Sequence, residues 1–212
     1  MYTPAYNRED DPATLAAFMQ AHPFATLVTA SGSGLIASHI PVVTRLEGET
    51  VTLSGHLARA NDHWQAFSGS EETLVIFTGP HAYVSPSHYA KHESVPTWNY
   101  VAVHAYGHPE TVRFENAPER MTMLMADLIG EHEAEYQAQW DSLSEKFRHG
   151  MMRGIVGFEM KVTRLEGKYK LSQNRSHEDQ REVAQALLSH SATEVAETGR
   201  LMEERLEAGE TR

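Results

Sequence analysis

A mainly β fold, a single barrel with helical additions, is what this chain predicts, and three observations carry the expectation. Short runs rich in β-branched and aromatic residues recur from Phe24 onward, with glycine- or proline-bearing turns between them. One of these runs, Thr97 to Gly107, reads as a central strand bounded by Pro96 and Gly107. The length of 212 residues suits one sizeable core rather than two.

Taken in order, Asp11-Pro12 opens a helix, with Asp11 as N-cap and Pro12 in the first turn. Leu15, Phe18 and Met19 supply its apolar side, and His22-Pro23 stops it. Phe24–Thr29 and Leu35–Val43 read as a hairpin joined through Ser31-Gly32-Ser33-Gly34, where glycine tolerates the positive φ of a tight turn. These glycines lack dinucleotide-fingerprint spacing and precede a strand, so they are not a phosphate loop. Pro41 cannot donate to a ladder, which predicts an edge or a bulge there. Glu47-Gly48-Glu49 turns into a third strand, Thr50–His56.

Asn61 is a suitable N-cap for a short helix carrying Trp64 and Phe67, and Arg59 stands just before it. A helix start and an arginine fork together suit a phosphate monoester, although an arginine beside a cap is commonly a surface residue. Thr73–Phe77 reads as a strand buried on both faces. Gly79 to Val95 reads as a long polar and aromatic loop, a feature that is often functional. Eight of the thirteen histidines lie between His39 and His108. His88 and His92 have i, i+4 spacing, yet no glutamate stands where a zincin helix needs one and no third ligand is evident, so no metal is expected.

Strict alternation puts Trp98, Tyr100, Ala102, His104 and Tyr106 on one side of the central strand, and Thr97, Asn99, Val101, Val103 and Ala105 on the other. The pattern by itself reads the aromatics as core residues with satisfied polar tips; ring systems beside hydrogen-bonding tips also suit a ligand or partner. Glu110–Phe114 is a further strand, and Asn116-Ala117-Pro118 caps an amphipathic helix to about Ala138. Gly154–Leu165 and Lys168–Gln173 read as a hairpin around Glu166-Gly167 that closes the barrel. Ser176-His177-Glu178-Asp179 is a capping box for a last core helix, with Val183, Leu187 and Leu188. This predicts one domain over 1–190 and an acidic helical tail over 191–212.

Composition excludes several chemistries. Without cysteine there is no disulfide, thiolate nucleophile or iron–sulfur cluster. No run approaches a membrane span and the N-terminus lacks a secretion signal, so a cytoplasmic protein is expected. A net charge of −11 opposes broad attraction to nucleic acid. Between Lys146 and Arg181, nine basic residues face four acidic ones, either a solvated face or the one stretch suited to a phosphate backbone.

Four blocks carry a family resemblance: Gly55-His56-Leu57-Ala58-Arg59-Ala60-Asn61, Gly79 to Ser87, Pro96 to Gly107, and Lys170 to Ser176. Together, and in this order, they resemble the PaiB family, FMN-binding negative transcriptional regulators. The resemblance implies a split β-barrel of the pyridoxamine phosphate oxidase kind, a homodimer with FMN at the subunit interface. It implies Arg59 and Asn61 at the phosphate, Ile36, Ser38 and His39 along the ring system, and Trp98 and Asn99 beside the ring or ribityl chain. Lys170, Gln173 and Asn174 join the ligand region on the same ground. Family members often have a tryptophan where His88 stands. No helix-turn-helix with a basic recognition helix is evident, so direct DNA binding is not supported and repression through a partner stays open. An FMN-dependent oxidoreductase on a small molecule or nicotinamide nucleotide is the alternative, and haem binding by a related barrel is a third reading.

Overall fold

A computed structural model describes residues 1–68 and 72–210. Among them run, in order, β1 (Arg8–Glu9), α1 (Pro12–Ala21), β2 (Phe24–Ser31), β3 (Gly34–Glu47), β4 (Thr50–Ala58), β5 (Thr73–Val84), β6 (Thr97–Gly107) and β7 (Glu110–Val112). Then follow α2 (Pro118–Glu133), α3 (Tyr136–Ser142), α4 (Glu145–Arg153), β8 (Ile155–Lys170), α5 (His177–Leu188) and α6 (Thr193–Glu210). Short 3-10 turns cover Ala5–Asn7, Asp62–Ser68 and Pro86–His88. The strands hydrogen-bond in the order β1-β8-β4-β3-β2-β5-β6, β7 adds to β8, and β6 also pairs with β8, which closes the ring. No helix among the described residues is long and apolar enough to cross a membrane.

Two compact units make up the chain: Met1–Asp10, Thr78–Val103 and Glu166–Arg212 form one, and Asp11–Phe77 with His104–Leu165 the other. In the second unit, Asp11 caps α1 by accepting from the Thr14 amide at 2.8 Å, as its sequence requires. Gly34 and Gly48, the turn residues, have φ of +120° and +60°, where a side chain would be strained. Leu27, Leu53, Phe77, Phe158 and Met160 are wholly buried. α2 lays Leu124 and Leu128 on Val43, and Met121 joins Val112, Phe114 and Met152. Gly157 permits this approach, since a Cβ there would lie 2.9 Å from Leu124 Cδ1.

In the first unit, β1 pairs with the end of β8, Arg8 opposite Lys168. Ser176 caps α5 by accepting from the Asp179 amide at 3.1 Å. The segment expected as an acidic tail is α6, which packs on α5 with Thr198 and Met202 buried; its residues 211 and 212 lie outside the described residues.

Several expectations need correction. The region read as a loop from Gly79 begins as strand, because β5 continues to Val84 despite Gly79-Pro80. Glu166-Gly167 is no turn: β8 runs unbroken, Gly167 lacks a positive φ and pairs with Glu9. Pro41 is neither edge nor bulge. β3 pairs with β2 through Pro41 and with β4 from Val42, so the missing donor falls where the strand changes partner. The helix expected to reach Ala138 is interrupted at Ala134 and Glu135, which keep helical dihedrals, and α4 was not anticipated. In β6 the small-residue face with Asn99 is the buried one. The aromatic face looks outward, with Trp98 52% exposed, because the slim side chains are those that fit inside.

Candidate functional site

The turn after β4 carries Arg59, Asn61 and a residue the sequence reading passed over, His63, and hydrogen bonds tie Asn61 and His63 to Ser38 of β3. Arg59 donates its amide to the Gly154 carbonyl at 2.9 Å, and its own carbonyl accepts from Trp64 Nε1 at 3.1 Å, so its backbone is held on both sides. Its Nη2 donates to Glu115 Oε2 at 2.8 Å. Its Nε is buried and has no partner among the described residues. The guanidinium in turn holds the Glu115 carboxyl below the usual carboxylate range.

Asn61 does what an N-cap does, accepting from the His63 amide at 3.1 Å. The helix it starts is a 3-10 segment, Asp62–Ser68. Its Nδ2 donates to Ser38 Oγ at 3.1 Å. Ser38 reaches His63 Nδ1 at 2.9 Å, His63 Nε2 reaches Thr29 Oγ1 at 3.0 Å, and Thr29 reaches Thr73 Oγ1 at 2.8 Å. His63, Thr29 and Thr73 are all at most 1% exposed, whereas Ser38 and Asn61 are half-buried. A polar chain therefore runs from the surface into the barrel wall. Burial lowers the His63 pKa, so the ring is neutral and each nitrogen has one role. His56, half-buried in β4, is pushed down for the same reason and its Nδ1 is unpartnered among the described residues.

β3 separates the three residues expected along the ring system. Register puts Ile36 and Ser38 on one face, opposite Thr29 and Leu27, and His39 on the other, where it meets Thr26 Oγ1 at 3.0 Å and stacks on Phe24.

The remaining candidates belong to the other unit. Trp98 meets His81 and Tyr83, with ring centroids 5.7 and 6.0 Å away. Lys170 Nζ donates to Thr97 Oγ1 at 2.6 Å and to the Trp98 carbonyl, and burial, then Lys168, lowers its pKa. Gln173 accepts from the Leu171 amide at 2.7 Å, donates to the Tyr169 carbonyl and lines a cavity of about 260 Å³ with His177 and Arg205. Asn174 is exposed. Asn99 is fully buried, its Nδ2 donating to Ser172 Oγ at 2.9 Å and reaching Met202 Sδ at 3.2 Å, so its amide is committed inside the fold. Ser172 holds φ at 68°, the one positive φ at a non-glycine residue among the described residues.

These groups suit a phosphate-bearing cofactor on chemical grounds. Arg59 contributes a buried N–H with no acceptor among the described residues, and Asn61, two residues on, and Ser38, hydrogen-bonded to Asn61, add amide and hydroxyl donors. His63, Thr29 and Thr73 escaped the sequence reading. Their signal was Thr29 and Ser38 on the inward face of the hairpin and Thr73 at the start of β5, polar residues where apolar ones pack.

The chain also matches known proteins. Residues 1–164 match the family described as "Putative FMN-binding domain". The chain is 35% identical over 206 residues to "Protease synthase and sporulation protein PAI 2" of Bacillus subtilis, covering 97% of this chain and 98% of that one. Among solved structures it resembles the flavocytochrome Anf3 of Azotobacter vinelandii, with a TM-score of 0.61, 14% identity, and 84% and 77% of the two chains covered. It also resembles an FAD and heme binding protein of Mycobacterium smegmatis, with a TM-score of 0.58, 13% identity, and 82% and 78% covered. The fold is the split β-barrel.

Proposed function

The chain belongs to the PaiB family of FMN-binding domains, and from that premise we propose that it is a flavin-binding regulator, a homodimer that holds FMN and lowers transcription. The observation that carries this reading is the turn after β4, where Arg59 offers a buried N–H with no acceptor among the described residues and, two residues on, Asn61 joins Ser38 at the end of a buried polar chain. In this reading Arg59 and Asn61 take the phosphate, and Ser38 with Ile36 lies toward the ring system. Trp98, Lys170, Gln173 and Asn174 are separate candidates, supported by chemical type and the family resemblance. Asn99 acts from inside, by holding Ser172. FMN, when bound, supplies reversible electron uptake at its ring system.

The homodimer is supported by one face of the β3-β2-β5 sheet. Register gathers Phe24, Val28, Ala30, Leu35, Leu74 and Ile76 there, with Phe24 67% and Leu35 78% exposed. Thr26, Ala37, His39 and Pro41 complete the face, so in a chain of charge −11 it carries no acidic or basic side chain apart from His39. Such a surface meets a second copy without like-charge repulsion.

Titration of the purified protein with FMN, followed by absorbance and by light scattering for mass, tests the reading. Expected are a yellow, dimeric protein and salt-dependent, sequence-selective retention of DNA, by the protein itself or through a partner. A folded protein that takes up no flavin in excess overturns it. Bound flavin bleached by NAD(P)H on a catalytic timescale moves the function to the oxidoreductase class.

A further inference from the structure

The hydrogen-bond chain through His63 has a direction, and its buried end decides which. A neutral imidazole has one N–H and one bare nitrogen, so Thr73, Thr29, His63 and Ser38 can be strung with every proton pointing inward or every proton pointing outward. If Ser38 donated to His63 Nδ1, then Nε2–H would donate to Thr29, and Thr29 to Thr73. The Thr73 hydroxyl is 0% exposed, and Thr29 Oγ1 is its hydrogen-bond partner among the described residues. Its own proton would then be left in the core with no acceptor, which is the expensive arrangement. Outward polarity has no such defect: Thr73 donates to Thr29, Thr29 donates to His63 Nε2, and His63 Nδ1–H donates to Ser38 Oγ. Ser38 also accepts from Asn61, so both its lone pairs are engaged and its O–H is unspent.

We propose that His63 is a positioning residue held as its Nδ1–H tautomer, and that through Ser38 it turns the half-buried end of the chain into a donor-only site for a ligand acceptor atom. The unspent protons are the Ser38 O–H and the second Asn61 amide N–H, both at the half-buried end, which favours a phosphate or carbonyl oxygen over a ligand donor. Phe67, its ring 5.6 Å from that of His63, and burial keep the imidazole in place and uncharged. The identity of the acceptor as one of FMN rests on the function proposed above; the tautomer does not.

Two measurements separate these layers. Nitrogen-15 correlation spectra of the histidine rings in the flavin-free full chain, assigned with a His63→Asn variant, read the tautomer directly. Nδ1–H is expected, the form that free histidine disfavours, and Nε2–H or a mixture overturns the inference whether or not FMN binds. FMN titrations then compare variants. Ser38→Ala and His63→Phe each weaken binding about tenfold, the double variant is no weaker than Ser38→Ala, and His63→Asn, whose amide can donate from the Nδ1 position, restores most of the affinity. Additive losses, or no rescue by asparagine, overturn the positioning role. If His63→Phe does not fold, the tautomer spectrum and the asparagine variant still decide. Absence of FMN binding by the unaltered chain refutes the cofactor reading alone.

Discussion

Arg59→Ala weakens FMN binding by about 10- to 30-fold, and the figure follows from the surroundings of the guanidinium. A hydrogen bond to a charged group contributes roughly 1.5–3 kcal/mol. The side chain is 39% exposed, so solvent and salt screen it and the lower part of that range, about 1.5–2 kcal/mol, applies. The Nε, which has no partner among the described residues, raises the value, because a phosphate gives that buried N–H its acceptor and makes the contact bidentate. Glu115 lowers it, because a carboxylate already at 2.8 Å must share Nη2 with the incoming anion. Fluorescence titration at low ionic strength and at about 0.15 M reads the effect, with the larger loss at low salt, where the Debye length is longer. Arg59→Lys keeps the charge but not the fork, and falls between the two. Equal affinities of the unaltered chain and Arg59→Ala at every ionic strength remove this arginine from the phosphate site and refute the reasoning.

Glu115→Gln tightens FMN binding by removing the competing anion, most at low salt; weaker binding in the same titration shows instead that the carboxylate positions the fork. Leu35→Glu leaves monomer stability within about 0.5 kcal/mol, since the side chain is 78% exposed, but halves the mass seen by light scattering; an unchanged dimer rules out this face. Gly199→Ala destabilises by about 1–2 kcal/mol, although alanine is the better helix former by about 1 kcal/mol. A Cβ there would meet Leu188 N at 2.7 Å and the Ala184 carbonyl at 2.9 Å, backbone atoms that cannot rotate away, and a urea midpoint at or above the parent's contradicts it. Acidification below about 6.5 lowers stability. His56 and His63 have depressed folded pKa values, so the unfolded chain binds more protons, and their contribution is present above the unfolded value and lost as pH falls through the folded ones. Urea midpoints that do not change between pH 7 and 5 contradict that assignment.

The strands were legible wherever local chemistry and tertiary demand coincide. β6 starts and ends where Pro96 and Gly107 place it, and both Asp11 and Ser176 cap as their type dictates. Legibility failed where a long-range partner overrode a local signal. Glu166-Gly167 has turn composition, but β1 supplies a ladder for it, and a paired glycine has no reason to turn. Gly79-Pro80 is read through by β5 in the same way. The faces of β6 were legible as a division but not in sense: alternation separates Trp98 from Asn99, and nothing local says that the smaller set goes inside.

The site was legible only on its outer surface. Arg59 and Asn61 announce themselves as a basic residue and a cap, and Ser38 entered through the family resemblance. His63 does not announce itself, because its meaning depends on Thr29 and Thr73, residues 34 before and 10 after it that only the closed sheet brings into line. A sequence reading asks whether a histidine is exposed, paired or metal-bound, and none of these describes a ring whose two nitrogens sit between a half-buried serine and a core threonine. What identifies it is a buried donor at the far end with one place to send its proton. The same test applies to any half-buried hydroxyl in this barrel: whether it can donate to a ligand is settled at the other end of its hydrogen-bond chain.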